Sequence, residues 1–224
     1  MNVVEIFAGS RSFGKVAEKL GCNVFSVDLK PFDGIDLAID FEEMKFDMMP
    51  FKPDLLIFGI PCTSYSLAAI SHHRNKDRSP KTEFAAKSDR MAKKMLEFID
   101  YFGCTYFIEN PRATLRKMPF MINRPRTTIT YCSYGDIRMK PTDVWSNDLY
   151  SIFNQDGWKG KPMCFNGNIK CQHEASPRGS RTGTQGLKNN YERSIVPPEL
   201  CESIINHCLR KFENKKREKL KLAS

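Results

Sequence analysis

The chain has 224 residues, 41% of them apolar, which suits one domain with a real core and a small insert. Its formal charge of +9 suits an acidic partner such as nucleic acid without requiring one. No apolar run is long enough to cross a bilayer, and the N-terminus enters a strand-like run at once, so neither membrane contact nor a secretory leader is expected and the cytoplasm is the default. Eight cysteines in a chain of this size do not resemble a disulfide scaffold, so each is read in its own setting.

In chain order, residues 2–7 (NVVEIF) read as a short buried strand. Residues 11–21 read as a helix closed by Gly21, with Phe13, Val16, Ala17 and Leu20 on one face. Residues 23–29 form a second strand carrying Asp28, and 54–59 (DLLIFG) a third. Ser79-Pro80 opens a long helix over about 82–102, striped by Phe84, Met91, Met95, Ile99 and Phe102. Residues 104–111 (CTYFIENP) are another buried strand, and 123–135 are strand-like. Apolar strands alternating with helices predict an α/β fold with a parallel sheet covered on both faces. From about 133 to 190 the chain turns irregular, rich in Gly, Pro, Lys, Arg and Asn. Residues 197–212 return to a helix with Leu200, Cys201, Ile204, Ile205, Cys208 and Leu209 on one face, and the charged tail from 213 is expected to fray.

The first turn, FAGSRSFGK, comes one residue short of a triphosphate-binding loop. Such a loop needs a hydroxyl after its lysine to hold magnesium, and Val16 stands there. The better reading is an adenosine site of Rossmann type, in which an acidic residue roughly 20 positions after the glycine takes the ribose hydroxyls. Asp28 fits. The residues alone leave a dinucleotide and S-adenosylmethionine both open. Cys62, in GIPCTSYS after the third strand, has loop neighbours and suits a nucleophilic thiol better than a core residue. Cys22, Cys104, Cys201 and Cys208 read as core residues. Glu109 follows the apolar run YFI, where a carboxylate is costly unless paired or functional. Arg124 and Arg126, at spacing two, share a strand face if that segment is a strand, and can hold a phosphate, hold Glu109, or be solvated.

FAGSRS, VFSVDL, GIPCTSYS, IENP, RPRTT and the late ERSIVPPELCESI, in this order, resemble the cytosine-5 DNA methyltransferases, and within them short prokaryotic or phage-type members. The resemblance covers about 1–132 and 186–210. It implies a Rossmann-like, S-adenosylmethionine-dependent methyltransferase sheet (1–132), a small irregular target-recognition segment (133–185), and a return to the core (186–224). It implies that Cys62 adds to carbon 6 of a flipped cytosine, that Glu109 binds the ring, and that Arg126 with Arg124 positions the base or Glu109. Phe7, Ala8, Gly9, Ser10, Asp28, Leu29, Asp40, Pro61, Ser66 and Ser194 would line the cofactor pocket. Asp40 reads equally well as a helix cap. The partner implied is double-stranded DNA, in a prokaryotic or phage-infected cell. Arg74 and Arg78, in the loop after Cys62, with Lys140, Arg178 and Arg181, are expected at the DNA backbone. The chain departs from the family pattern at Ser10-Arg11, where a second glycine is usual, at Pro111, and in lacking a glutamine before the arginines.

Cys132, Cys164, Cys171 and His173 fall in or beside the irregular segment. A Cys₃His set can hold a structural zinc, and unrelated reduced thiols are the alternative. Three other functions compete with DNA methylation: tRNA cytosine-5 methylation by the same core, DNA binding by an inactive relative, and a nucleoside triphosphatase.

Overall fold

Val3, Val4 and Ile6 of the first strand are wholly buried, although they alternate between the two faces of the sheet. That strand runs through the middle of a layer covered on both sides. The computed structural model describes residues 1–174 and 190–222. Its elements are β1 (Asn2–Ile6), α1 (Ser12–Lys19), β2 (Asn23–Asp28), β3 (Leu37–Ala38), β4 (Leu55–Phe58), α2 (Ile70–His73), α3 (Glu83–Phe102), β5 (Thr105–Pro111), β6 (Arg126–Thr130), β7 (Pro141–Ser146), α4 (Asn190–Ser194) and α5 (Pro198–Leu222). The strands form one sheet in the order β3-β2-β1-β4-β5-β7-β6.

The two faces have separate cores. On one, Val4, Ile6, Leu56, Phe58, Ile108 and Trp145 meet Met91, Met95, Phe98 and Ile99 of α3. On the other, Val3, Leu55, Ile57, Phe107 and Val144 meet Phe13, Val16 and Ala17 of α1 and Leu200, Cys201, Ile204 and Ile205 of α5. Thr82 caps α3, its side chain accepting from the Ala85 amide, and Gly103 ends the helix in the left-handed region at φ 58°. Of the apolar stripe read for α3, Phe84 lies outside the core, with its ring 5.1 Å from that of His73.

Two expectations are corrected. The sheet is mixed, because β7 runs antiparallel between β5 and β6. The link between β6 and β7 is too short for the crossover that parallel neighbours need. β7 also lies inside the segment read as irregular. Its PTDVWS has neither a strict alternation nor a continuous apolar run to mark a strand, and Thr142, Asp143 and Ser146 are fully buried. The tail is the second correction: α5 continues to Leu222. ENKKREKLKL consists almost wholly of strong helix formers, with no glycine or proline to stop it.

Candidate active site

In an open α/β sheet the ligand crevice lies beyond the carboxyl ends of the strands, where the strand order reverses. Here that point is between β1 and β4. The turns leaving those strands touch: the Gly59 amide donates to the Ile6 carbonyl at 3.1 Å, and a Cβ on Gly59 would sit 3.1 Å from the Phe7 carbonyl oxygen.

The β1 turn is tightly wound. Phe7, Gly9 and Arg11 all take positive φ (58°, 49° and 55°). The Gly9 amide donates to Asp28 Oδ2 at 2.8 Å, which joins the turn to the end of β2, and the Lys30 amide donates to Asp28 Oδ1 at 3.0 Å. Leu29, next to Asp28, is 62% exposed at the same edge. From the far end of the chain, Ser194 Oγ lies 3.6 Å from where a Gly9 side chain would begin, and the Val196 amide donates to Ser12 Oγ at 3.0 Å. Ser10 is buried with its hydroxyl 2.8 Å from that of Ser12. Asp40 is engaged elsewhere: it pairs with Lys87, which holds its carboxyl below the usual range, and it accepts from the Glu42 amide at 3.0 Å.

The triphosphate reading fails on geometry as well as on Val16. The first amides of α1 already have an acceptor. Glu5 is buried beneath them and accepts from Phe13 at 3.1 Å and from Gly14 at 2.8 Å. Gly14 is a glycine because a Cβ would lie 2.7 Å from Glu5 Oε2. Lys15 is exposed.

Cys62 begins a single 3₁₀ turn (Thr63–Tyr65), its carbonyl accepting from the Tyr65 amide at 3.0 Å. The turn is set on a buried frame. Tyr65 is fully buried and donates to Asp89 Oδ1 of α3 at 2.8 Å. The Arg74 guanidinium lies 4.4 Å above the Tyr65 ring, donates to both Asp89 oxygens at 2.7 and 3.1 Å, and donates to the Ser64 carbonyl at 2.8 Å. From β5, Asn110 Nδ2 donates to the Ile60 carbonyl at 2.8 Å, tying the strand that carries Glu109 to the chain just before Cys62. Pro61 and Ser66 are half-buried on either side of this turn.

Glu109 accepts a 2.8 Å hydrogen bond from the buried Tyr131 hydroxyl. Lys140 Nζ, also buried, lies 4.0 Å from Glu109 Oε1, 3.3 Å from the Tyr131 hydroxyl and 4.4 Å above the Tyr131 ring. Burial pushes the Cys62 thiol above its ordinary pKa, Lys140 opposes that most strongly, and Glu109 reinforces it. Burial likewise lowers the Lys140 pKa, and Glu109 and Cys62 work against that. Thiol, carboxylate and ammonium therefore form one electrostatic unit.

Several expected residues go elsewhere. Glu109, Val144 and Thr127 lie abreast on one face of the sheet, while Ile108, Trp145 and Arg126 lie abreast on the other. Arg126 thus points away from Glu109; its Nε is 3.8 Å from Asp143 and its guanidinium 5.9 Å from the Trp145 ring. Arg124 precedes the strand, so the spacing argument does not apply to it, and it pairs with Asp100 at 3.7 Å. Arg74 is buried in its pair with Asp89 instead of reaching for phosphates. Lys140 is buried beside Glu109 and does not stand on an exposed loop. Arg78 is exposed, with φ 74°. Arg178 and Arg181 lie outside the described residues. Sequence reading missed Tyr131 and the placement of Lys140 beside Glu109, because neither residue stands in one of the quoted motifs. It also missed Arg116, which binds the buried Asp143 with two donors.

Cys132, Cys164, Cys171 and His173 do come together: one donor atom from each lies within 4.8 Å of all the others. Among the described residues no helix is long and apolar enough to cross a membrane.

No family profile matches the sequence, and no curated protein matches it. The structure is similar to a candidate DNA modification methyltransferase encoded within an E. coli prophage, with TM-score 0.52 and 11% identity over 74% of this chain. The Entamoeba histolytica methyltransferase EhMeth gives TM-score 0.48 and 14% identity over 67% of this chain and 55% of its own. The S. pombe Dnmt2 methyltransferase gives 0.45 and 10% over 73% of this chain and 57% of its own. The chain spans about half the length of the prophage protein, 52%. The first likeness is one of fold: this chain shares the Rossmann-like sheet of that structure.

Proposed function

We propose that this chain is a DNA cytosine-5 methyltransferase, using S-adenosylmethionine and acting on double-stranded DNA through a covalent bond from Cys62. One observation carries the reading. Cys62 and Glu109 leave adjacent parallel strands at the same sheet edge and are coupled through one buried cation, Lys140. A dead binding relative has no need of a half-buried thiol and carboxylate set beside a buried ammonium in this way.

The residues at the β1–β4 crevice fit the cofactor. Each Asp28 oxygen accepts one backbone hydrogen bond, which leaves each a lone pair for a ribose hydroxyl. Leu29 offers an exposed apolar face for a purine, and Phe7, Ala8, Gly9 and Ser10 shape the turn beside it. Ser194 and Pro61 border it from the other side. When bound, S-adenosylmethionine supplies an electrophilic methyl group.

Cytosine carbon 5 is a weak nucleophile. Cys62 Sγ forms a bond to carbon 6, and the displaced ring electrons build up at carbon 5 and nitrogen 3. Glu109 donates a carboxyl proton to nitrogen 3, which neutralises that charge, and accepts from the exocyclic amine with its other oxygen. With the methyl group that S-adenosylmethionine would supply, its thioether leaving, carbon 5 would then lose its proton to a base, and the S–C6 bond would break to return the Cys62 thiolate and the aromatic ring. Because burial favours the protonated thiol, Lys140 is assigned the task of favouring the thiolate as the base enters. Tyr131 fixes Glu109 through its 2.8 Å hydrogen bond. The target base must leave the duplex stack, at a cost of a few kcal/mol. Arg78 stands on the exposed loop after Cys62, where it can meet a phosphate.

The test is mass spectrometry of nucleosides from duplex DNA and, in parallel, tRNA, each incubated with S-adenosylmethionine and either parent or Cys62→Ala protein. Cysteine-dependent 5-methylcytosine in DNA is the expected result. The modified base in tRNA alone would move the substrate to RNA, and none in either would overturn the enzyme reading.

A further inference from the structure

The segment from about 160 to 174 has no regular secondary structure and no core of its own. Phe165 and Ile169 are 65% and 97% exposed. Yet it is folded against the chain that leaves β6. The Cys164 amide donates to Thr130 Oγ1 at 2.9 Å, Ser133 Oγ donates to the Pro162 carbonyl at 2.9 Å, and Gln172 Nε2 donates to the Cys132 carbonyl at 3.0 Å. A few polar bonds, each worth about 1 kcal/mol net, do not hold a coreless segment in one conformation.

At the centre of these bonds are four soft donors. Cys132 is buried on the 3₁₀ turn after β6, and Cys164, Cys171 and His173 are half-buried opposite it. Cys164 Sγ and His173 Nδ1 are 3.7 Å apart, and the four donor atoms span no more than 4.8 Å. Zinc–sulfur bonds of about 2.3 Å and zinc–nitrogen bonds of about 2.0–2.1 Å set tetrahedral donors about 3.5–3.8 Å apart. The cluster meets that geometry with small movements. The three cysteines are free thiols. Asn168 Nδ2 points at Cys164 Sγ at 3.3 Å, the kind of N–H donor that settles a metal-bound thiolate.

We propose that Cys132, Cys164, Cys171 and His173 bind one structural zinc ion that staples residues 160–174 to the active-site wall. Three thiolates and an imidazole favour zinc over the hard cations. Four protein ligands leave no open position, so the ion holds structure and performs no chemistry. Its place in the fold gives it a consequence. Cys132 follows Tyr131, which donates to Glu109, so the ion fixes the chain on which that hydrogen bond depends.

The test is metal content, which is independent of any enzymatic reading. The full chain, purified under reducing conditions and reconstituted with zinc, should carry about one zinc ion by mass spectrometry. Cobalt substitution should give the intense visible bands of a tetrahedral site, with thiolate charge transfer. Cys171→Ser and His173→Ala should each lose most of the metal, while Cys104→Ser, outside the cluster, should keep it. A reconstituted parent holding under about a tenth of an ion, or Cys171→Ser and His173→Ala proteins that keep full zinc, would overturn the site. So would a cobalt spectrum without thiolate charge transfer.

Discussion

Glu5 offers a test in which the sign and size follow directly from the fold. Its carboxyl is buried under the first turn of α1, and burial raises its pKa from 4.5 to about 7, against the pull of the Phe13 and Gly14 amides and of Arg11. In the unfolded chain the group titrates normally. A folded pKa above the unfolded one means that the folded state binds the proton more tightly. The stabilisation is therefore complete below about pH 4.5 and is lost as the pH rises through about 7. At 1.36 kcal/mol per pH unit, a gap of about 2.5 units is worth about 3 kcal/mol. Glu5→Gln removes the titration, at a pH-independent cost because its NH2 must face one of the two backbone N–H donors. Urea titrations of both proteins across pH 4.5 to 8 should show the variant gaining about 3 kcal/mol on the parent from the acid to the alkaline end. Parallel curves, or a variant that loses ground with rising pH, would refute a buried, proton-seeking Glu5.

Two further predictions concern the nucleophile. Lys140→Met removes the main influence opposing the upward push on the Cys62 thiol. Alkylation of Cys62 by iodoacetamide near pH 8 should slow by about tenfold for each unit the thiol pKa rises, and an unchanged rate would remove Lys140 from the cluster. Arg74→Ala removes the buried guanidinium from the half-buried Asp89, leaving it the Tyr65 hydroxyl, and strips the Tyr65 turn of its brace. Chemical denaturation should register a loss of about 3–5 kcal/mol, whereas a loss under about 1 kcal/mol would return Arg74 to the pool of surface cations.

The strands that carry chemistry were legible in the sequence because β1, β4 and β5 are apolar on both faces and end in conspicuous polar turns. Gly9, Asp28, Cys62 and Glu109 could be placed at one sheet edge from that pattern alone. β7 could not, because Thr142 and Asp143 look like loop residues until Arg116, buried against Asp143, is seen. Missing β7 also hid the alternation that sends Arg126 to the face opposite Glu109. Lys140 and Arg74 were read as basic side chains for phosphates. Charge in a sequence does not reveal burial, and the structure turns both inward onto carboxylates. The Cys₃His set was visible as residue types, but its spacing matches no common finger. Only the folding of 160–174 back onto Cys132 brings its donors within 4.8 Å.

The central claim is that Cys62 attacks carbon 6 of cytosine. The most direct measurement uses a duplex with 5-fluorocytosine at its cytosines, mixed with the protein and S-adenosylmethionine. Fluorine at carbon 5 cannot leave as a proton does, so the S–C6 bond should persist. The account predicts a stable species with the combined mass of protein, DNA strand and one methyl group, with the strand mapped to the peptide bearing Cys62 and absent from Cys62→Ala. A strand attached to another residue, or catalytic turnover on ordinary DNA with no trapped species on the fluorinated duplex, would contradict it.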